Sequence, residues 1–70
     1  MDEETRLELE KELHDLRVWL SRHDYIGIKI ATGRATAADY AVEIEQMRQS
    51  AERITEIEKL LRGEENEENN

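Results

Sequence analysis

Two histidines are the side chains best suited to chemistry in this sequence of 70 residues. Glu10 and His14 are four residues apart, so on a helix they would lie side by side as two metal ligands do. His14 lies off the line of leucines that the same helix would bury, and the sequence has no HExxH pattern. We therefore interpret His14 as solvated. His23 directly precedes a helix start, and we interpret it as a surface residue too.

The sequence lacks the other common catalytic patterns. Gly27 and Gly33 are too far apart to form a phosphate-binding glycine loop, and no serine is paired with a base as a nucleophile. The 18 acidic residues have no apolar pocket that would shift their pKa values. So short a chain also leaves little room for a pocket of several hundred Å3. We expect no enzyme, with no catalytic residue, no metal and no other cofactor.

Charge is distributed unevenly along the chain, whose net charge is −8. Residues 2–16 have seven acidic and two basic residues, a net charge of −5, whereas residues 17–34 have a net charge of +3. An acidic chain disfavours broad contact with nucleic-acid phosphates, so nucleic acid is the less favoured partner. The middle of the chain nevertheless holds four candidates for a basic turn: Arg17, Arg22, Lys29 and Arg34. They would contact nucleic acid or an acidic partner. We prefer that they pair with acids of the chain such as Asp24 and Asp39, or are simply solvated.

Hydrophobic spacing predicts three helices. Four leucines at spacings of four, three and four place a first helix at residues 2–22: Leu9, Leu13, Leu16 and Leu20. The isoleucines at positions 26, 28 and 30 alternate as in a strand, but a lone strand would leave its backbone groups unpaired. A short helix at residues 24–32 is therefore favoured. Asp24 either breaks the first helix or lies inside a continuous one.

A third helix is expected at residues 37–62. Thr36 and Asp39 form a capping box at its start, and Gly63 is a typical residue to follow its end. Ile57 lies at the margin of its apolar stripe, which Glu58 interrupts. The stripe itself comprises Tyr40, Ile44, Met47, Ala51, Ile54 and Leu61. Residues 64–70 contain only Glu and Asn, which predicts a disordered acidic tail.

These elements predict an all-α fold, an antiparallel helical hairpin with a short middle helix over residues 1–63. Gly33 would close the turn, and Tyr25 and Tyr40 would pack close together. A two-helix hairpin has one buried seam, so other apolar side chains would lie at its margins or outside it. We expect a dimer, a four-helix bundle, that buries the interface candidates Val18, Trp19, Ile26, Ile57 and Leu60.

The sequence also bears on localisation. No apolar run exceeds three residues, so we expect no contact with a membrane. The N-terminus is acidic, unlike a signal peptide, and the chain has no cysteine. These features favour a cytoplasmic protein.

The stretch from Trp19 to Glu58, 40 of the 70 residues, resembles a helical module of small phage and prophage proteins. Its pattern is a Leu-rich helix, Asp-Tyr-x-x-Ile-Lys, a glycine turn and a Thr-capped second helix with spaced Arg and Ile. Thr32 replaces the acid that more usually precedes the turn glycine. The matching residues are Asp24, Tyr25, Ile28, Lys29, Ala31, Gly33, Thr36, Asp39, Tyr40, Arg48, Arg53, Ile54 and Ile57.

The resemblance implies a phage-type structural or accessory protein, virion-associated if structural, without an active site. We therefore expect a small structural or protein–protein interaction module that self-associates, whose protein partner the sequence does not name. The alternative is a small acidic regulator that binds a basic partner protein or mimics nucleic acid.

The acidic tail gives a first testable prediction. Deletion of residues 64–70 removes no apolar side chain, so the melting temperature should stay within a few degrees of that of the full chain. Circular dichroism melts of both chains measure this. A large loss of helicity would show that the tail docks on the helices.

Overall fold

The structure, a computed structural model, describes the backbone of residues 1–69 and the side chains of residues 1–63. Helix α1 spans Glu3–Arg22, α2 spans Asp24–Ala31 and α3 spans Ala41–Asn69, with a 3-10 turn at Ala37–Tyr40 directly before α3. No strand occurs in the described backbone. The predicted all-α class is confirmed.

Contacts at two levels show that α3 runs antiparallel to α1. The rings of Tyr25, at the start of α2, and Tyr40, just before α3, lie 6.3 Å apart and edge to face. Farther from the turn, Arg53 of α3 reaches Glu12 of α1 at 2.6 Å. Because α3 begins beside the end of α1 and then passes its middle, the chain forms the predicted hairpin.

The first helix begins at a capped end and stops at His23. The backbone N–H of Thr5 donates to the Asp2 carboxylate at 2.8 Å, so Asp2 is the N-cap. His23 leaves the helical conformation with φ −107° and ψ 7°, and its N–H still donates to the Leu20 carbonyl at 3.0 Å. Asp24 is then the first residue of α2. The break between the helices is therefore a single residue, His23.

Burial along α2 follows a helical pattern, although its isoleucines alternate in sequence. Ile26 is 1% exposed, whereas Ile28, two residues on, is 62% exposed. Residues two apart lie on different faces of a helix, so one isoleucine packs inward and the other faces water. Ile26 was expected at an interface with a second copy. It instead lies in the core of the chain itself, because the break at His23 turns α2 so that this side chain packs inward.

Gly33 closes the turn with φ +74°, as predicted. Two hydrogen bonds complete a Schellman motif after α2: Gly33 N–H donates to the Ile30 carbonyl at 3.1 Å, and Arg34 N–H donates to the Lys29 carbonyl at 2.8 Å. The predicted capping box follows. The Asp39 carboxylate accepts from the Thr36 N–H at 2.8 Å. The five residues that link α2 to the 3-10 turn are thus held at both ends.

The buried stripe of α3 differs from the predicted one at two positions, 51 and 57. The other predicted residues are half-buried: Tyr40, Ile44, Met47, Ile54 and Leu61. Ala51 is exposed and Ser50 is half-buried, while Ile57 is 0% exposed. From Ser50 onward the seam follows Ser50, Ile54, Ile57 and Leu61 at spacings of four, three and four. Ile57 is therefore a core residue, neither marginal nor available to a second copy. Ile57 lies at the centre of the seam because burial of an isoleucine gains free energy, whereas burial of the neighbouring Glu58 carboxylate would cost it.

The far end of α3 differs from the sequence prediction as well. Gly63 does not end the helix, and its φ is not positive. Glycine accepts the right-handed helical conformation when no C-cap motif forms, and no proline follows it here. The backbone of residues 64–69 continues α3, where the sequence predicted a disordered tail at residues 64–70.

The two glycines of the hairpin end should respond oppositely to the same substitution. Gly33→Ala places a Cβ at positive φ and should lower the free energy of unfolding by about 1 kcal/mol. Gly27→Ala lies within α2, where an added Cβ meets no atom within 4 Å, and should raise it by about 0.5–1 kcal/mol. Urea denaturation of both variants measures this. A neutral Gly33→Ala would contradict the turn described above.

Candidate functional site

Two long-range ion pairs join α1 to α3 across the seam. Arg53 Nε donates to Glu12 Oε2 at 2.6 Å, and Arg17 Nη2 donates to Glu58 Oε2 at 2.7 Å. In an antiparallel hairpin, each arginine lies nearer the turn than the glutamate that it binds. The two helices thus contain the same two residue types at the same spacing but in opposite order along the chain, Glu-x4-Arg in α1 and Arg-x4-Glu in α3.

These ion pairs lie on opposite sides of the seam. Glu12 and Arg17 are five residues apart, about 140° around a helix, with the buried Leu13 between them in sequence. All four charged side chains remain partly exposed, so each pair adds little to stability. Their effect is to hold the register of one helix against the other and to divide the surface of the hairpin into two distinct faces.

The pair at Glu12 is part of a larger network. The hydrogen bonds from Arg53 hold the pKa of the Glu12 carboxyl below its ordinary value of 4.5, and the same contact raises the pKa of Arg53. Arg53 Nη1 also donates to Glu56 Oε1 at 2.8 Å. One guanidinium therefore connects a carboxylate across the seam with a carboxylate on its own helix.

An open groove of about 760 Å3 lies on the Glu12–Arg53 face, between α1 and α3. Leu16 and Trp19 of α1 contribute its apolar side chains, and Gln46, Gln49 and Ser50 of α3 line the other wall. The sequence left little room for a pocket of several hundred Å3. That expectation is wrong, because two helices packed along one seam leave a long open depression beside it. Such a shape suits a helix of another chain better than a small molecule.

Trp19 is held in this groove by the residue that breaks the first helix. The rings of Trp19 and His23 are stacked with centroids 4.0 Å apart. His23 Nδ1 lies 2.7 Å from the Trp19 carbonyl oxygen, and since a carbonyl only accepts, this nitrogen donates. His23 is half-buried, not the surface residue that the sequence predicted, because the stacked indole covers one face of its ring.

The four basic turn candidates are used differently from one another. Arg17 pairs with Glu58, and Lys29 Nζ lies 3.2 Å from Tyr40 Oη and 5.8 Å from the centre of the Tyr40 ring. Arg22 and Arg34 have no ion pair within the described side chains. Pairing with Asp24 or Asp39 is likewise not seen there, since Asp39 caps the 3-10 turn. Two of the four candidates are thus engaged inside the chain and two remain open to a partner.

The interface candidates also divide into two groups. Val18 and Trp19 are half-buried and Leu60 is 44% exposed, so these three reach the surface, while the two isoleucines lie in the core. Sequence reasoning missed Val42, which is 67% exposed. Val42 lies beside the predicted stripe. Only its spacing from Leu60 could have shown that these two side chains share a face of α3 other than the one that packs on α1.

The histidine at position 14 is exposed, as predicted. Among the described residues, no group of three or more His, Cys, Asp or Glu side chains could hold a metal ion. The described helices also include none long and apolar enough to cross a membrane.

Comparison with known proteins gives no relative: no family model, no curated protein and no solved structure matches the chain. The resemblance to phage proteins therefore rests on the residues of the sequence alone.

The network around Arg53 gives a pH-dependent prediction. Because the pKa of Glu12 is lowered in the folded chain, its contribution to stability is present above the ordinary value of 4.5 and is lost as the pH falls through the folded pKa. Glu12→Gln should therefore lower the melting temperature at neutral pH and flatten its fall in acid. Thermal melts at several pH values measure this. Glu10→Gln, exposed on the same helix, is the matched control and should keep the wild-type acid slope.

Proposed function

We propose that the protein is a small protein–protein interaction module that self-associates through the groove face, the side of the hairpin with Glu12, Arg53 and the open groove. The observation that carries this proposal is how little of the apolar surface the single chain buries. Three apolar side chains in the described part are buried, namely Leu13, Ile26 and Ile57, and Leu13 is still 8% exposed. The exposed large apolar residues include Leu7, Tyr25, Ile28, Val42 and Leu60.

The free energies involved support association. A core from about 70 residues rarely supplies more than about 3–5 kcal/mol of net stability. Full burial of one Val, Leu or Ile side chain contributes about 1.5–3 kcal/mol. Covering two or three of the exposed side chains with a second copy would therefore add as much as the monomer's own core provides.

A phage or prophage setting belongs to the same proposal, with the protein cytoplasmic or, as a structural component, virion-associated. What supports it is the role of the residues that carry the resemblance. Tyr25, Lys29 and Tyr40 contact one another at the closed end, and Gly33 and Thr36 form the turn beside them. The shared pattern thus builds a structural joint, as expected of an accessory protein that acts by assembly.

An acidic regulator that binds a basic protein, or mimics nucleic acid, is the second candidate. It is favoured by exposed acids along α1, where Glu8, Glu10 and Asp15 have no ion pair among the described side chains. Binding to a basic partner would weaken steeply as salt is raised. A pulldown at low and high ionic strength therefore separates this candidate from self-association through apolar contacts. Competition by duplex DNA tests the mimicry.

Self-association is tested by sedimentation equilibrium at tens of micromolar protein, near physiological salt. We expect an apparent mass about twice the 8.3 kDa of one chain, with a melting temperature that rises with concentration. A single 8.3-kDa species with a concentration-independent melt would contradict the proposal.

A further inference from the structure

Resting on the proposed self-association, we propose that the second copy docks on the groove face in antiparallel orientation, with α3 of one copy along α3 of the other. The evidence is a second stripe on α3, distinct from the one that packs on α1. Its spacings are four, three, four, three and four, which place it along one face of the helix. The second stripe comprises Val42, Gln46, Gln49, Arg53, Glu56 and Leu60.

The structure leaves this second stripe open to solvent. Gln46, Gln49 and Arg53 line the groove. Val42 is 67% exposed at one end of the stripe and Leu60 is 44% exposed at the other. Arg53 of the second stripe binds Glu12 of α1, whereas the other five side chains of this stripe are exposed and can meet another helix.

The second stripe is complementary to the same stripe of a second copy when the two helices run in opposite directions. Turned end to end, its spacings are unchanged, and Val42 of one copy meets Leu60 of the second copy at both ends of the contact. Gln46 then meets Glu56, and Gln49 meets Arg53. An amide donates to a carboxylate in the first of these pairs and accepts from a guanidinium in the other. No like charges face each other.

A parallel pairing of the same two helices lacks this match. Arg53 would face Arg53 of the second copy, and Glu56 would face Glu56, so like charges would meet at two positions. The charge distribution along the hairpin also favours reversal. Residues 2–16 have a net charge of −5 and residues 17–34 a net charge of +3. Antiparallel docking places the basic closed end of each copy, with Arg22 and Arg34 still unpaired among the described side chains, beside the acidic open end of the other.

The size of the face is sufficient for such a dimer. The hairpin measures 50 × 21 × 15 Å, so its broad face is 50 by 21 Å. A standard protein–protein interface buries roughly 800 Å2 on each partner, which a face of this extent supplies. Trp19 lies in the groove and would be covered by the second copy, in keeping with the enrichment of tryptophan in interfaces.

A charge swap at the ends of the second stripe tests both docking and orientation. In antiparallel docking, Val42→Lys alone and Leu60→Glu alone each place a charge against an apolar side chain, and each should raise the dimer dissociation constant about tenfold or more. The double variant Val42→Lys/Leu60→Glu places Lys against Glu at both ends. Its dissociation constant should return to within about threefold of the wild-type value. Sedimentation equilibrium measures all four proteins.

Matched controls separate docking from folding and from net charge. Both positions are exposed in the single chain, so the helical circular dichroism signal should be unchanged. Thr55 is exposed and lies away from both stripes of α3. Thr55→Lys and Thr55→Glu therefore make the same changes of net charge and should leave the dissociation constant unaltered.

The outcomes distinguish this inference from the proposed function. If the wild-type chain is a dimer but the double variant is as weak as the single variants, antiparallel docking is overturned and self-association stands. Single variants that associate like the wild type would overturn docking through the second stripe. A monomeric wild-type chain would overturn the proposed function and the inference together.

Discussion

Two packed helices can bury only one narrow stripe on each, and most features of this hairpin follow from that limit. Leu13 on α1 and Ile57 on α3 are buried, whereas several flanking positions are half-exposed. With so little core, the register of the helices has to be fixed by other means. The ion pairs Glu12–Arg53 and Arg17–Glu58 fulfil this role, one on each side of the seam. Neither needs burial to do so, since a slip of one helix along the other lengthens the Glu12–Arg53 pair in one direction and the Arg17–Glu58 pair in the other.

The turn end of the hairpin is rigid, and this compensates for the small number of side chains buried between α1 and α3. The break at His23 lets α2 bury Ile26, and the stacked ring of His23 fixes the orientation of Trp19. A Schellman motif and a capping box then hold the linking turn at each end. Each contact is small, but together they leave few conformations open to the turn, so the entropy cost of ordering it is met by local hydrogen bonds. The helices therefore meet at a defined angle even though few side chains are fully buried.

Much of this architecture was readable from the sequence, and the exceptions have physical reasons. The first helix, the turn at Gly33 and the capping box depend on local signals, so they were predicted to within a residue or two. The half-burial of Ser50 in place of Ala51 was not predicted, because both residues are small and neither gains much by burial. The pairing of Arg53 with Glu12 was out of reach, because it joins residues 41 positions apart in a chain that is rich in both charges. The groove was missed for the same reason, since it exists only where two helices lie side by side.

The second stripe stays exposed in the single chain because the residues at its centre are polar. An all-apolar stripe at the same spacing would associate more strongly, but in either orientation and with any amphipathic helix. Here Gln49 and Arg53 occupy the centre, and Arg53 is already engaged by Glu12 beneath it. In the proposed dimer, a partner helix would have to form hydrogen bonds with polar groups whose positions the hairpin fixes. This requirement lowers the affinity of the dimer but selects one orientation of the two helices. In the proposed dimer, the ion pair that holds the two helices of one chain in register would thus also set the register in which a second copy docks.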